Sequence, residues 1–342
     1  MINTENTKYA NEIADFCKTY NFEFLKGKTI FITGATGLIG SYLVDVLLCD
    51  TKFDINLLLA SRDKDKIKKR FPQYAFDKRL KTIECDLCAD YNFDFKCDYI
   101  IHLASFSDSK NYAMYPVQTM LMNFVGCNNL LKLAQKNNCE RFFFASSSEV
   151  YGTSEDIMTE SNYGVVNPLD IRSCYNESKR ASETLCVSYK EEYNVNVVIG
   201  RLCRVYGPSM LIEDTKALSQ FLKNGLSKQN IILKSEGKQQ FSYIYVSDAV
   251  SGILTILKSG KNGEAYNISH DQDIMSLKEI AETVAEISNV KVVFDLPKEF
   301  EAKGYSRVQK AVLPADKLKL LGWEPKVSLS EGIKNTYNIL KS

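Results

Sequence analysis

Tyr175 and Lys179 stand four residues apart in a stretch, about Arg172 to Glu192, whose pattern predicts a helix, so the two side chains project from one face. An ammonium beside a phenol favours the phenolate and draws its pKa from about 10 toward working pH, making tyrosine a usable acid or base for a hydroxyl or ketone. The same pair on any other helix also describes an ordinary exposed face. Its weight comes from upstream, where Thr33-Gly34-Ala35-Thr36-Gly37-Leu38-Ile39-Gly40 joins an apolar run, Lys28 to Thr33, to a helical one, Leu38 to Cys49. Glycines at such a junction permit a tight turn and let backbone N–H groups approach a pyrophosphate at the positive end of the helix.

The elements that must position these groups follow from periodicity. Apolar runs at Ile55 to Ala60, Thr82 to Glu84, Asp98 to Ala104 and Arg141 to Ser146 alternate with helical stretches, the longest at Val117 to Lys136. Strands separated by helices of that length require crossovers, which predicts an α/β fold: a Rossmann-type, doubly wound parallel sheet covered on both faces. Past Arg201 the rhythm loosens. Residues 28–203, with 246–269 returning, are expected to form the dinucleotide-binding domain. Residues 204–245 and 270–342 are expected to form a smaller α/β substrate lobe, and 1–27 a helical extension, with a helix from about Lys8 to Thr19.

The 342 residues are 45% hydrophobic and 25% charged, enough for a sizeable core. A formal charge of +1 gives no overall field to attract nucleic acid or an anionic membrane, so neither is an expected partner and any anionic ligand must be held locally. The N-terminus lacks an apolar core of signal-peptide length, which predicts a cytoplasmic protein. The ten cysteines read as reduced, mostly buried thiols. Cys85 and Cys88 have the spacing of half a zinc knuckle, but no second pair follows and the chain has two histidines, so no metal is expected.

Cofactor choice is read after the second strand, where an acidic residue would bond a free ribose 2′-hydroxyl. Ser61-Arg62 occupies that place, and an arginine suits a 2′-phosphate, so NADP(H) is favoured and NAD(H) stays open. A one-residue shift would instead bring Asp63 to the ribose and leave Arg62 a solvated charge. Asp86-Leu87, after the third strand, is placed for the adenine edge; a cap or turn aspartate is the competing reading.

Taken together, TGATGLIG, HLAS (His102 to Ser105), SSSEVYG (Ser146 to Gly152) and the Tyr-x-x-x-Lys of YNESK resemble the extended short-chain dehydrogenase/reductase family that modifies nucleotide sugars. The stretches YAMYPVQTMLMNFVGCNNLLKLA, GVVNPLDIRSCYNESKRASETL and YGPSM are similar to its UDP-glucuronate decarboxylase and dTDP-glucose 4,6-dehydratase branch. The resemblance covers nearly the whole chain. It implies that Leu103, Ala104 and Ser105 border the dinucleotide, that Ser105 and Ser148 meet the substrate, and that Ser147 shares a hydrogen bond with the sugar C4 oxygen while Tyr175 moves the proton. Lys179 would hold the nicotinamide ribose. Glu149 either removes a proton beside a transient ketone or anchors a loop.

Ser148 stands where the dehydratases carry an aspartic acid that protonates the leaving hydroxyl, and serine has no readily transferred proton, so loss of water is disfavoured. The decarboxylases carry Ser and Glu here, as this chain does. They also carry an arginine at the position of Phe241, a side chain that can stack on a ring but cannot pair with phosphate or carboxylate. That departure leaves diphosphate recognition to Arg307 and to Arg204, which replaces the family's usual asparagine and supplies a charge there or else forms a buried salt bridge.

With NADP(H) favoured, the expected activity is reduction of a 4-keto-6-deoxy sugar nucleotide, as in surface polysaccharide synthesis. The alternatives are C4 epimerisation, decarboxylation or dehydration with retained NAD, and, in another class, a non-catalytic dinucleotide sensor. The resemblance also implies a homodimer through a four-helix interface built from the two long helices.

Overall fold

The computed structural model describes residues 2–89, 93–106, 109–153, 157–211, 213–295 and 310–342, with only the backbone of 109–111. In chain order, α1 (Thr7–Thr19) precedes β1 (Thr29–Thr33), α2 (Leu38–Cys49), β2 (Asn56–Ser61), α3 (Lys64–Arg70), β3 (Leu80–Glu84) and β4 (Tyr99–His102). Then come α4 (Ser109–Met114), α5 (Pro116–Asn137), β5 (Arg141–Ser147), α6 (Ser173–Tyr193) and β6 (Val197–Leu202). The second half contributes β7 (Arg204–Tyr206), α7 (Ala217–Leu226), β8 (Ile231–Leu233), β9 (Gln240–Phe241), β10 (Tyr243–Tyr245), α8 (Val246–Ser259) and β11 (Ala265–Ile268). It closes with α9 (Leu277–Ser288), β12 (Val292–Phe294), β13 (Lys310–Ala311), α10 (Asp316–Lys319) and α11 (Leu329–Lys341).

Near-continuous apolar strands such as TIFIT and RFFFASS can be satisfied only when both sheet faces are covered. Seven of them pair in the order β11-β6-β5-β4-β1-β2-β3, every pair parallel. The order reverses between β1 and β4, and in such sheets a crevice opens there, outside the strands' carboxyl ends. Two apolar clusters cover the two faces. One gathers Ile30, Ile32 and Phe143 with α1, α2 and α8, and the other gathers Phe31, Phe142 and Phe144 with α5 and α6.

A third apolar cluster draws Phe221, Leu222, Tyr243 and Tyr245 together with Ile280, Val284, Ile333 and Tyr337, and so joins α7, β10, α9 and α11. The N-terminal helix is part of the main body. Its Tyr9 and Ile13 are buried, the Tyr9 hydroxyl donates to Asp45 on α2 at 2.8 Å, and Glu12 accepts from the Tyr245 hydroxyl at 2.6 Å. Short strand pairs, β7 with β10 and β9 with β13, carry the chain from the sheet to this lobe.

Candidate active site

The crevice has a volume of about 950 Å³ and is lined from both sides of the switch point. On one side is the glycine turn. Gly34 adopts φ +71°, and a Cβ there would stand 2.7 Å from the Ala104 backbone nitrogen; a Cβ on Gly40 would stand 2.3 Å from the Gly34 carbonyl oxygen. The turn therefore folds tightly on itself and against the loop after β4, which only glycine allows. Gly37 caps α2 with an extended backbone and no side-chain bond, so the first N–H groups of a 12-residue helix face the cleft, with Thr36, Leu38 and Ile39 along its wall. A pyrophosphate fits that cradle.

Thr33 ties the two halves together. Its hydroxyl lies 2.7 Å from His102 Nδ1 and accepts from the Ala104 N–H at 3.1 Å, fixing Leu103, Ala104 and Ser105 where they line the cleft. Burial drives the His102 pKa down to about 3, and the nearby Lys179 charge adds to it, so this imidazole is neutral.

At the far end of the turn, Ser61, Arg62, Asp86 and Leu87 line the cleft. Asp63 lines the cleft with them and also caps a helix. Its carboxylate accepts from the Asp65 N–H at 2.9 Å as the N-cap of α3. Arg62 makes no hydrogen bond or ion pair among the described residues. Lys66, one helical turn further on, lines the cleft beside it; sequence reasoning missed it, although the i, i+4 spacing was there to be read. Asp86 forms the turn that the competing reading anticipated, accepting from the Cys88 N–H at 3.0 Å, while still bordering the cleft.

The catalytic candidates converge where β5 ends and α6 begins. Ser147, Ser148 and Glu149 leave the strand in a tight helical turn, and Tyr175 and Lys179 approach from the first turns of α6, all lining the crevice. Lys179 Nζ donates to the Ala145 carbonyl at 2.7 Å and lies 5.7 Å from the Tyr175 ring centre. The expected depression of the Tyr175 pKa does not occur. Burial pushes the phenol up to about 12, the Glu149 charge adds to that, and the nearby Ser147, Tyr112 and Ser105 hydroxyls offset only part. Lys179 is itself pushed down to about 8 by burial.

Two further groups were not foreseen. Tyr112 stacks on Tyr175 with ring centres 4.6 Å apart and planes within 19°. Glu149 is gripped from α6: the Asn176 amide donates to its carbonyl at 2.7 Å and to its carboxylate at 3.3 Å, and Arg172 donates to the other carboxylate oxygen at 3.4 Å. Both anchors flank Tyr175 within one helical turn, the signal that sequence reasoning left unused.

Of the remaining substrate candidates, Arg204 lines the cleft, and no salt bridge holds it among the described residues. Its guanidinium lies 3.5 Å from the centre of the Phe241 ring. Phe241 itself is buried behind that guanidinium and does not line the cleft, so it reaches a ligand only through Arg204. Arg307 lies outside the described residues.

A switch-point crevice with a glycine cradle on β1 and a tyrosine and lysine on the helix after β5 defines a dinucleotide-dependent enzyme of the extended short-chain dehydrogenase class. Residues 30–269 match the model of the NAD dependent epimerase/dehydratase family, and the chain belongs to that family. It is 34% identical over 312 residues to UDP-glucuronic acid decarboxylase 2 of Arabidopsis thaliana, covering 90% of this chain and 67% of the relative. UDP-glucuronic acid decarboxylase 6 of that plant is 34% identical over 319 residues, covering 91% and 88%.

Among solved structures, an epimerase from Methanothermobacter thermautotrophicus superposes with a TM-score of 0.79 at 23% identity, covering 96% of this chain and 94% of that one. A dTDP-glucose 4,6-dehydratase from Streptomyces venezuelae with NAD bound gives 0.76 at 23%, covering 91% and 96%. Among the described residues, no helix is long and apolar enough to cross a membrane.

Proposed function

We propose that the protein oxidises C4 of a nucleoside-diphosphate hexuronate and that the resulting 4-ketone loses its carboxyl group as CO2. The observation that carries the C4 chemistry is the meeting of Ser147, Tyr175 and Lys179 in one crevice with the glycine turn. Bound along that turn, a nicotinamide dinucleotide supplies hydride acceptance and return. The chain's own groups do the rest. The C4 hydroxyl proton moves to and from Tyr175 Oη, Ser147 shares the hydrogen bond to that oxygen, and Lys179, anchored on Ala145, supplies positive charge behind the phenol.

Oxidation at C4 leaves the C5 carboxylate β to a ketone. Breaking the bond between C5 and the carboxyl carbon releases CO2 and leaves its electron pair in the enolate; a proton then adds at C5, and reduction at C4 restores the hydroxyl. Likeness to the decarboxylases over about nine-tenths of the chain supports the uronate. Ser148, which lacks the proton needed to expel water, fits loss of CO2 better than dehydration.

Arg62 and Lys66 favour a second reading. Two cations beside Ser61, with no ion-pair partner among the described residues, suit a 2′-phosphate, hence NADPH and net reduction of a 4-keto-6-deoxy sugar nucleotide. One pair of assays separates them. With UDP-glucuronate and NAD, mass spectrometry is expected to find a UDP-pentose; with NADPH and a 4-keto-6-deoxy sugar nucleotide, reduced-nicotinamide absorbance is expected to stay constant. Absorbance loss without any UDP-pentose would replace the first reading with the second.

Self-association is part of the proposal. On α5, Val117, Met120, Leu121 and Phe124 are exposed at i, i+3, i+4 and i+7, an apolar stripe suited to a homodimer.

A further inference from the structure

Among the described residues, six basic side chains line the cleft: Arg62, Lys66, Arg172, Lys179, Arg204 and Lys216. Three are engaged, Lys179 by the Ala145 carbonyl, Arg172 by Glu149 and Lys216 by Asp214 at 3.3 Å. Arg62, Lys66 and Arg204 have no carboxylate or carbonyl partner among the described residues. Arg62 follows β2 and Arg204 follows β6, four strand spacings apart in the sheet, roughly 19 Å at ~4.8 Å each. One phosphate cannot span that distance, so the cleft has two separate places for anions.

We infer that Arg204, laid flat on Phe241, is the anion-recognition element at the substrate end of the cleft, binding a phosphate or carboxylate group of the nucleotide sugar. The inference rests on the reading of this crevice as a nucleotide-sugar site. Phe241 is fixed by burial and by the pairing of β9 with β13, where it stands in register with Ala311. A guanidinium on such a platform satisfies its face by stacking and keeps its in-plane N–H donors for a bidentate acceptor. Strand pairing sets its height, since Arg204 opens β7 opposite Tyr243 and its N–H donates to the Ser242 carbonyl at 3.3 Å.

A lysine at 204 would keep the charge but lose the fork and the stack.

The test is equilibrium binding of UDP, UDP-glucose and UDP-glucuronate to the full chain by calorimetry, with NAD affinity and thermal midpoint measured alongside. Arg204→Met is expected to weaken the ligand carrying the recognised group about tenfold to a hundredfold while NAD affinity holds. Equal loss for all three ligands identifies the diphosphate as the group bound; loss confined to UDP-glucuronate identifies the sugar carboxylate. Arg204→Lys is expected to recover little, and Phe241→Leu to lose affinity several-fold with the charge still present. The inference is overturned if Arg204→Met or, should that variant unfold, Arg204→Lys binds all three ligands within about twofold of the parent. It is equally overturned if the parent binds none of them. Binding without turnover would count against the proposed reaction and leave Arg204 in place.

Discussion

Two opposing effects meet at Tyr175. Hydrogen bonds from the Ser147, Tyr112 and Ser105 hydroxyls favour the phenolate, yet the ring is enclosed by Tyr112 and the ends of β5 and α6, and desolvation wins, holding the phenol near 12. Tyrosine and lysine were legible as a pair from their spacing, but the sign of the shift depends on burial that no spacing reveals. Tyr175→Phe removes only the atom that moves the proton. It is expected to cut kcat by about 10² to 10⁴-fold while dinucleotide affinity stays within about twofold, measured by steady-state kinetics and fluorescence titration. A non-catalytic sensor would be indifferent to the change. Lys179 gives the second prediction at this scale. Burial lowers it to about 8 from 10.5, so its charge is present below that value and lost above it. The pH profile of kcat/KM is expected to fall above about pH 8, and Lys179→Arg to move that limb upward. A profile flat through the alkaline range, or one unmoved by the substitution, would remove the charged lysine from the account.

Among the elements, the glycine turn carries the most sequence information because sterics leave it no choice. A side chain at Gly40 would overlap the Gly34 carbonyl oxygen, and the turn would have to open. Gly40→Val is therefore expected to cost about 1–3 kcal/mol of stability and to abolish dinucleotide binding, checked by thermal unfolding with and without cofactor. Retained binding would mean the cradle is not where the pyrophosphate lies. The sheet strands and long helices were legible for a related reason: each is an apolar run or a periodic face that needs a particular environment. The short elements were not. β9 and β13 pair residues 70 positions apart, and α4, which brings Tyr112 onto Tyr175, is six residues long. Such segments are held by tertiary contacts and show no period of their own. Phe241 was accordingly expected against substrate, whereas pairing carries it under Arg204, and Asp63, weighed as a ribose ligand, borders the cleft while one of its carboxylate oxygens caps α3.

At the scale of the molecule, the fold brings residues as far apart in the chain as Thr33 and Lys216 to line one crevice. The apolar stripe on α5 lies on the same unit, with Leu121 at once 47% exposed and part of the cleft wall. Phe124→Glu places a charge at the C-terminal end of that stripe, away from the cleft lining. It is expected to convert a dimer into a monomer in sedimentation velocity, with the secondary structure intact; an unchanged sedimentation coefficient would remove the stripe from the assembly.

The central claim is that hydrogen leaves C4 of a nucleotide sugar inside this crevice. Its most direct test is single-turnover kinetics with UDP-glucuronate bearing protium or deuterium at C4, in the presence of NAD. The account predicts a transient rise in reduced-nicotinamide absorbance that is slowed by the deuterium and absent in Tyr175→Phe. A UDP-pentose formed at the same rate from both isotopologues, with no such transient, would contradict it.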